Sequence, residues 1–117
     1  MFRIIISGSR NFNDYELLKS TMNHLLSKIE EQIVVISGRC RGTDTLGERY
    51  AQEKGYQIDY FPAEWSKFGR SAGPRRNEQM ARNANALVAF WDGVSPGTKN
   101  MIALAKRYGL KIRIKKL

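Results

Sequence analysis

Two stretches of the chain, Ile33-Val34-Val35-Ile36 and Ala86-Leu87-Val88-Ala89-Phe90-Trp91, are apolar at every position. Successive side chains of a strand point to opposite faces, so an unbroken apolar strand needs cover on both sides. A parallel sheet layered between helices supplies it. The rest of the chain follows the same plan: Phe2-Arg3-Ile4-Ile5-Ile6, about Tyr56 to Phe61 (closed by Pro62), and Leu110 to Ile114 read as further strands. Between them lie segments with helical signals. Asn13-Asp14 is placed to cap a helix running to about Ile29, with Leu17, Leu18, Met22, Leu25, Leu26 and Ile29 on its apolar face. Thr43-Asp44 opens a second helix, ended after Lys54 by Gly55. A polar loop through Gly73-Pro74 leads to a third over Arg75 to Arg82, and Thr98 to Tyr108 is a fourth, stopped by Gly109.

Five strands alternating with four helices, joined by right-handed crossovers, predict a Rossmann-like three-layer α/β/α sandwich occupying residues 1–117 as one domain. The expected sheet is five-stranded and mostly parallel, in the order 3-2-1-4-5. In such sheets the ligand lies outside the carboxyl ends of the strands where the winding reverses, here between strands one and four.

Composition narrows the function classes. No apolar run approaches the roughly 20 residues of a membrane-spanning helix, and the short apolar stretch after Arg3 is unlike a signal peptide, so a cytoplasmic location and no membrane partner are expected. Cys40, the single cysteine, has no partner for a disulfide and no histidine cluster for zinc, so no structural metal or cofactor is expected. Twenty Lys and Arg against eleven Asp and Glu leave a net charge of +9, which favours nucleotides, nucleic acid or an acidic partner. Part of that excess lies in Lys111-Ile112-Arg113-Ile114-Lys115-Lys116, which reads either as a charge-guarded edge strand or as a nucleic-acid contact.

The loops at the carboxyl ends of the strands differ from the rest. Ser7-Gly8-Ser9-Arg10, Ser37-Gly38-Arg39-Cys40-Arg41-Gly42-Thr43-Asp44, Gly69 to Asn77 and Asp92-Gly93-Val94-Ser95-Pro96-Gly97-Thr98 are all rich in Gly, Ser, Thr or Arg, whereas the opposite loops have no glycine cluster. Glycines let backbone N–H groups close on an anion, a helix N-terminus adds partial positive charge, and hydroxyls and guanidinium groups complete the shell. Ser95-Pro96-Gly97-Thr98 offers that arrangement at a helix start, although Ser95 or Thr98 could equally serve as a plain helix cap. Asp44 suits a ribose hydroxyl, the orientation of Arg41, or simply the helix dipole. Arg75 and Arg76, at the expected start of the third helix, oppose its dipole unless an anion sits there. Trp65, near Phe61 and Phe68, reads either as a stacking surface for a base or as part of a small loop core. His24 falls mid-helix among polar neighbours and reads as a surface residue.

Taken together, Gly8-Ser9-Arg10, Ser37-Gly38 with Arg41-Gly42-Thr43-Asp44, Pro62-Ala63-Glu64-Trp65, Ala72-Gly73-Pro74 with Arg76-Asn77 and Met80, and Phe90-Trp91-Asp92-Gly93 with Ser95-Pro96-Gly97-Thr98 resemble the small stand-alone, YspA-like members of the SLOG superfamily. The resemblance implies a Rossmann-like fold that binds nucleotides or nucleotide-derived signals of the ADP-ribose type, often as a homodimer. The related Lonely-guy phosphoribohydrolases carry a catalytic Glu three residues after the Thr of their Gly-Thr loop; that position here is Met101, while Arg76 matches their helical arginine. A thioether can neither steady a ribosyl cation nor activate water, and Asp44, Asp92 and Glu78 are the carboxylates that would have to replace the missing one.

Three functions are therefore weighed: a nucleotide-binding sensor or sequestering module, an N-glycosidic hydrolase of nucleoside monophosphates, and single-stranded DNA binding. The ligand-binding residues expected are Gly8, Ser9, Arg10, Ser37, Gly38, Arg41, Gly42, Asp44, Trp65, Arg76, Asn77, Asp92, Ser95, Gly97 and Thr98, with no catalytic residue assigned.

Overall fold

The computed structural model describes every residue from Met1 to Leu117. Strands β1 (Phe2–Gly8), β2 (Ile33–Ser37), β3 (Gln57–Tyr60), β4 (Ala86–Trp91) and β5 (Lys111–Lys116) form one sheet in the order β3-β2-β1-β4-β5. Every neighbouring pair is parallel, so the sheet is wholly and not mostly so. The central strand β1 pairs Ile4 with Val35 on one side and Ile5 with Leu87 on the other.

The two faces of this sheet carry two separate cores. Ile4, Ile6, Val35, Val88 and Phe90 point towards helices α1 (Tyr15–Leu26) and α2 (Thr43–Lys54), where Leu18, Met22 and Tyr50 meet them. Ile5, Ile36, Leu87 and Ala89 point the other way, towards α4 (Ala72–Arg82) and α5 (Pro96–Arg107), and pack on Met80, Met101 and Ala105. The two apolar runs are unbroken because β2 and β4 feed both cores.

Helix ends follow the local signals. Asp14 caps α1, its carboxylate accepting from the N–H of Leu17 at 3.1 Å, and Gly55 ends α2 in the left-handed conformation at φ 73°. His24 is exposed on α1.

Some boundaries differ from expectation. Helix α1 stops at Leu26, with Ile29 packing on the core from the turn beyond it. The segment read as one polar loop contains a short helix α3 (Trp65–Phe68) and a 3-10 turn (Gly69–Ser71), and α4 begins at Ala72, three residues before the expected start. Gly73-Pro74 therefore lies in the first turn of α4, where a proline N–H is not needed. Arg75 and Arg76 then fall a turn into the helix, and the dipole argument for an anion beside them lapses. Arg75 instead donates to Ser71 Oγ at 3.0 Å and lies over the Phe68 ring.

Burial depth sets what each core side chain is worth. Leu18 is fully buried, whereas Leu25 on the same helix is only partly covered. Leu18→Ala should cost about 3 kcal/mol in urea unfolding, and Leu25→Ala less than half of that.

Candidate functional site

Beyond the carboxyl ends of β1 and β4, where the winding reverses, lies a cleft of about 500 Å³. Its walls come from the loops after β1, β2 and β4 together with α4. Of the residues singled out from sequence, Gly8, Arg10, Arg41, Asp44, Arg76, Asn77, Asp92, Ser95, Gly97 and Thr98 line it. Ser9, Ser37, Gly38, Gly42 and Trp65 do not.

Three of those five hold the loops that the others stand on. Ser9 is buried; its hydroxyl accepts from the Asp92 N–H at 3.2 Å, and its carbonyl accepts from Thr43 Oγ1 at 3.0 Å. Ser37 donates to Glu48 at 2.6 Å, and Glu48 in turn pairs with Arg39 at 3.2 Å. Gly42 sits at φ 79°, a conformation costly for a side chain, and a Cβ there would run into the Arg10 carbonyl.

Gly38 makes room: a Cβ on it would lie 2.9 Å from Arg76 Nη1 and 3.0 Å from Asp44 Oδ2. Trp65 is half exposed, with its ring edge against Gly73 at the side of the cleft.

The interior of the cleft is charged and buried. Arg76 is only 8% exposed; its guanidinium donates to the Gly38 carbonyl, to Asn77 Oδ1 at 2.9 Å and to Cys40 Sγ at 3.5 Å, and none of the ion pairs of the chain includes it. Asn77 donates onward to Asn100 Oδ1 at 2.9 Å, tying α4 to the first turns of α5. Asp44 is 4% exposed and accepts from the Cys40 N–H at 3.3 Å. Burial pushes its carboxyl up to about 6, against the opposing pull of the Cys40 N–H and of Arg76.

Asp92 is the opposite case. It accepts from the N–H groups of Ser95 and Val94 at 2.8 and 2.9 Å and from the Ser95 hydroxyl at 2.7 Å, which hold it down at about 2. Ser95 thus stands at the N-cap of α5 but spends its hydroxyl on Asp92 rather than on capping. The N–H groups of Gly97 and Thr98, in the first turn of α5, find no acceptor within the protein, and the space above Gly97 is open. Arg10 and Arg41 stand exposed at the rim, outside every ion pair.

Sequence reasoning passed over four lining residues: Ser7, Asn11, Cys40 and Pro96. Each is adjacent to a residue that was singled out, so reading whole loops rather than their Gly, Arg and Thr members would have found them. No cluster of His, Cys, Asp or Glu with metal-binding geometry is present.

Residues 2–68 match the model of the YspA, cpYpsA-related SLOG family. The chain belongs to that family. Over 118 aligned residues this SLOG protein is 30% identical to the Gene 61 protein of Mycobacterium phage D29, covering 96% of its own chain and 94% of that protein. Its fold is similar to that of DNA processing protein A (DprA) from Streptococcus pneumoniae, with a TM-score of 0.74, 15% identity and coverage of 97% of this chain. It spans 49% of the DprA chain, about half its length. A second similar fold is that of TM1055, a structural genomics target, with a TM-score of 0.69 and 19% identity over 96% of this chain and 72% of the other. At these identities the two structures speak to fold alone.

The two aspartates of the cleft have opposite pH consequences. Asp44 binds its proton more tightly in the folded state, so its contribution to stability is present below about pH 4 and is lost as pH rises towards 6. Asp44→Asn should therefore melt above the parent at pH 7.5, by an amount worth up to about 3 kcal/mol, with the gap closing by pH 4. Asp92 stabilises above its ordinary range and loses that contribution as pH falls through about 2, so Asp92→Asn should melt below the parent at pH 7.

Proposed function

We propose that this SLOG protein binds a phosphorylated nucleotide, or a nucleotide-derived signal of the ADP-ribose type, in the cleft at the carboxyl ends of β1 and β4, acting as a sensing or sequestering module. The observation that carries the reading is Arg76, a buried guanidinium in a small-ligand-sized cleft that forms no direct ion pair, although the Asp44 carboxyl lies close enough to feel it. A buried cation without a direct ion-pair partner is costly, and an anionic ligand supplies one. The phosphate would meet the free N–H groups of Gly97 and Thr98 and the Thr98 hydroxyl, with Arg10 and Arg41 closing from the rim. Asp44 would accept from ribose hydroxyls.

Retention is favoured over cleavage. Met101 is fully buried in the core below α5, so the position that carries a glutamate in the phosphoribohydrolases offers the cleft nothing. Glu78 accepts from Tyr108 and pairs with Arg82 on the outer surface, and Asp92 is committed to its loop, which leaves Asp44 as the carboxyl to test for any hydrolysis. Single-stranded DNA binding is the second reading, favoured by the fold likeness to DprA and by the unpaired Arg10 and Arg41.

Incubation with AMP, ADP-ribose and NAD, followed by washing, denaturation and mass spectrometry of what is released, separates these readings. Intact nucleotide is expected, together with a ligand-induced rise in melting temperature that both Arg76→Ala and Thr98→Val abolish while circular dichroism stays unchanged. An undiminished rise in both variants would remove the site assignment. Free base with ribose phosphate would make the protein a hydrolase; no retained nucleotide, with oligonucleotide affinity falling steeply with salt, would favour DNA.

A further inference from the structure

On the side of the sheet that carries α1, strand β5 has no helix over it. Residues in register on parallel strands share a face, so Lys111 and Arg113 stand beside Ala86 and Val88, and Lys115 beside Phe90. Between this basic row and α1 runs an apolar groove of about 470 Å³. Phe2, Ile4 and Val88 form its floor, and Leu25 and Ile29 its far wall.

We propose that this groove docks an amphipathic helix of a partner protein, its apolar ridge seated between α1 and β4 and its acidic flank lying on Lys111, Arg113 and Lys115. The shape argues for a helix, because this is the layer a helix occupies elsewhere on the same sheet, parallel to α1. The charge argues for acidity: none of these three cations takes part in any ion pair of the chain. The same row disfavours a second copy of this chain, since a twofold contact would bring two basic rows together. Guarding an edge strand accounts for lysines but not for the apolar groove beside them. The groove lies away from the cleft and shares no residue with it, so the proposal stands apart from the nucleotide reading.

The test is a display library of random helical 20-residue peptides panned against the intact chain. The enriched sequences should carry large aliphatic residues at i, i+3 or i+4 and i+7 with Asp or Glu alongside, and a synthetic peptide from them should bind at least about tenfold more weakly to Lys111→Glu/Arg113→Glu, whose substituted side chains are exposed. The same peptide with its acids replaced by lysine should recover binding to the doubly reversed variant. Enrichment of peptides without acidic bias, equal binding to both proteins, or no enrichment would overturn the proposal. So would concentration-dependent self-association of the chain in sedimentation that Lys111→Glu/Arg113→Glu alters, because the occupant would then be a second copy.

Discussion

The loops around the cleft depend on one buried serine. At the switch point the chain leaves β1 and β4 in opposite directions, and nothing in the sheet itself holds the diverging segments together. Ser9 does so with every polar atom it has. Its N–H donates to the Phe90 carbonyl at 2.9 Å, its carbonyl accepts from the N–H and hydroxyl of Thr43, and its hydroxyl lies within reach of both Asp92 N–H and Ser95 Oγ. Loops from three strands are thereby fixed relative to one another, and the open N–H groups of α5 hold a defined position facing Arg76 and Asp44. Such a fully satisfied buried network is rigid, whereas one left half-made would be costly.

Much of this was legible in the sequence because it rests on local rules. Unbroken apolar runs give buried parallel strands, and glycine-rich segments after them mark the edge that holds the cleft, so the strand order and most of the cleft lining follow from periodicity and loop composition. What was not legible rests on contacts made across the fold. The start of α4 is not legible locally, because Gly73-Pro74 reads as a break although proline is welcome in a first helical turn. Ser9, Ser37, Gly38 and Gly42 look from sequence like ligand contacts but stand behind the cleft lining, holding the loops or making room for Arg76, because residue type alone does not separate a hydroxyl that faces a cleft from one that holds a neighbouring loop. The family match carries the same division: residues 2–68 include Gly8 and Asp44, but Arg76, Gly97 and Thr98 lie beyond them.

The net charge of +9 divides into populations with different surroundings. Arg76 is buried and held by three acceptors, Arg10 and Arg41 stand free at the cleft rim, and Lys111 and Arg113 flank an apolar groove on the other edge of the sheet, with Lys115 further along the same strand. Arg3 belongs to none of these; it pairs with Asp59 at 2.6 Å and is spent on structure. A single figure for charge therefore conceals different electrostatic tasks, and salt should screen the exposed rows far more than the buried guanidinium.

The sheet order also has a kinetic side. The central strand is the first to be made, yet one of its two partners, β4, lies more than eighty residues away, as the bond from Asp92 N–H to Ser9 Oγ across 83 positions illustrates. Pairing of this kind closes a long loop before any contact repays the entropy, which makes it the slow class of folding event. During synthesis the first three strands can assemble with α1 and α2 while the cleft still lacks its α5 wall. The cleft is thus completed late in the life of each chain, as a property of the finished sheet, and a half-made molecule lacks the wall that α5 brings.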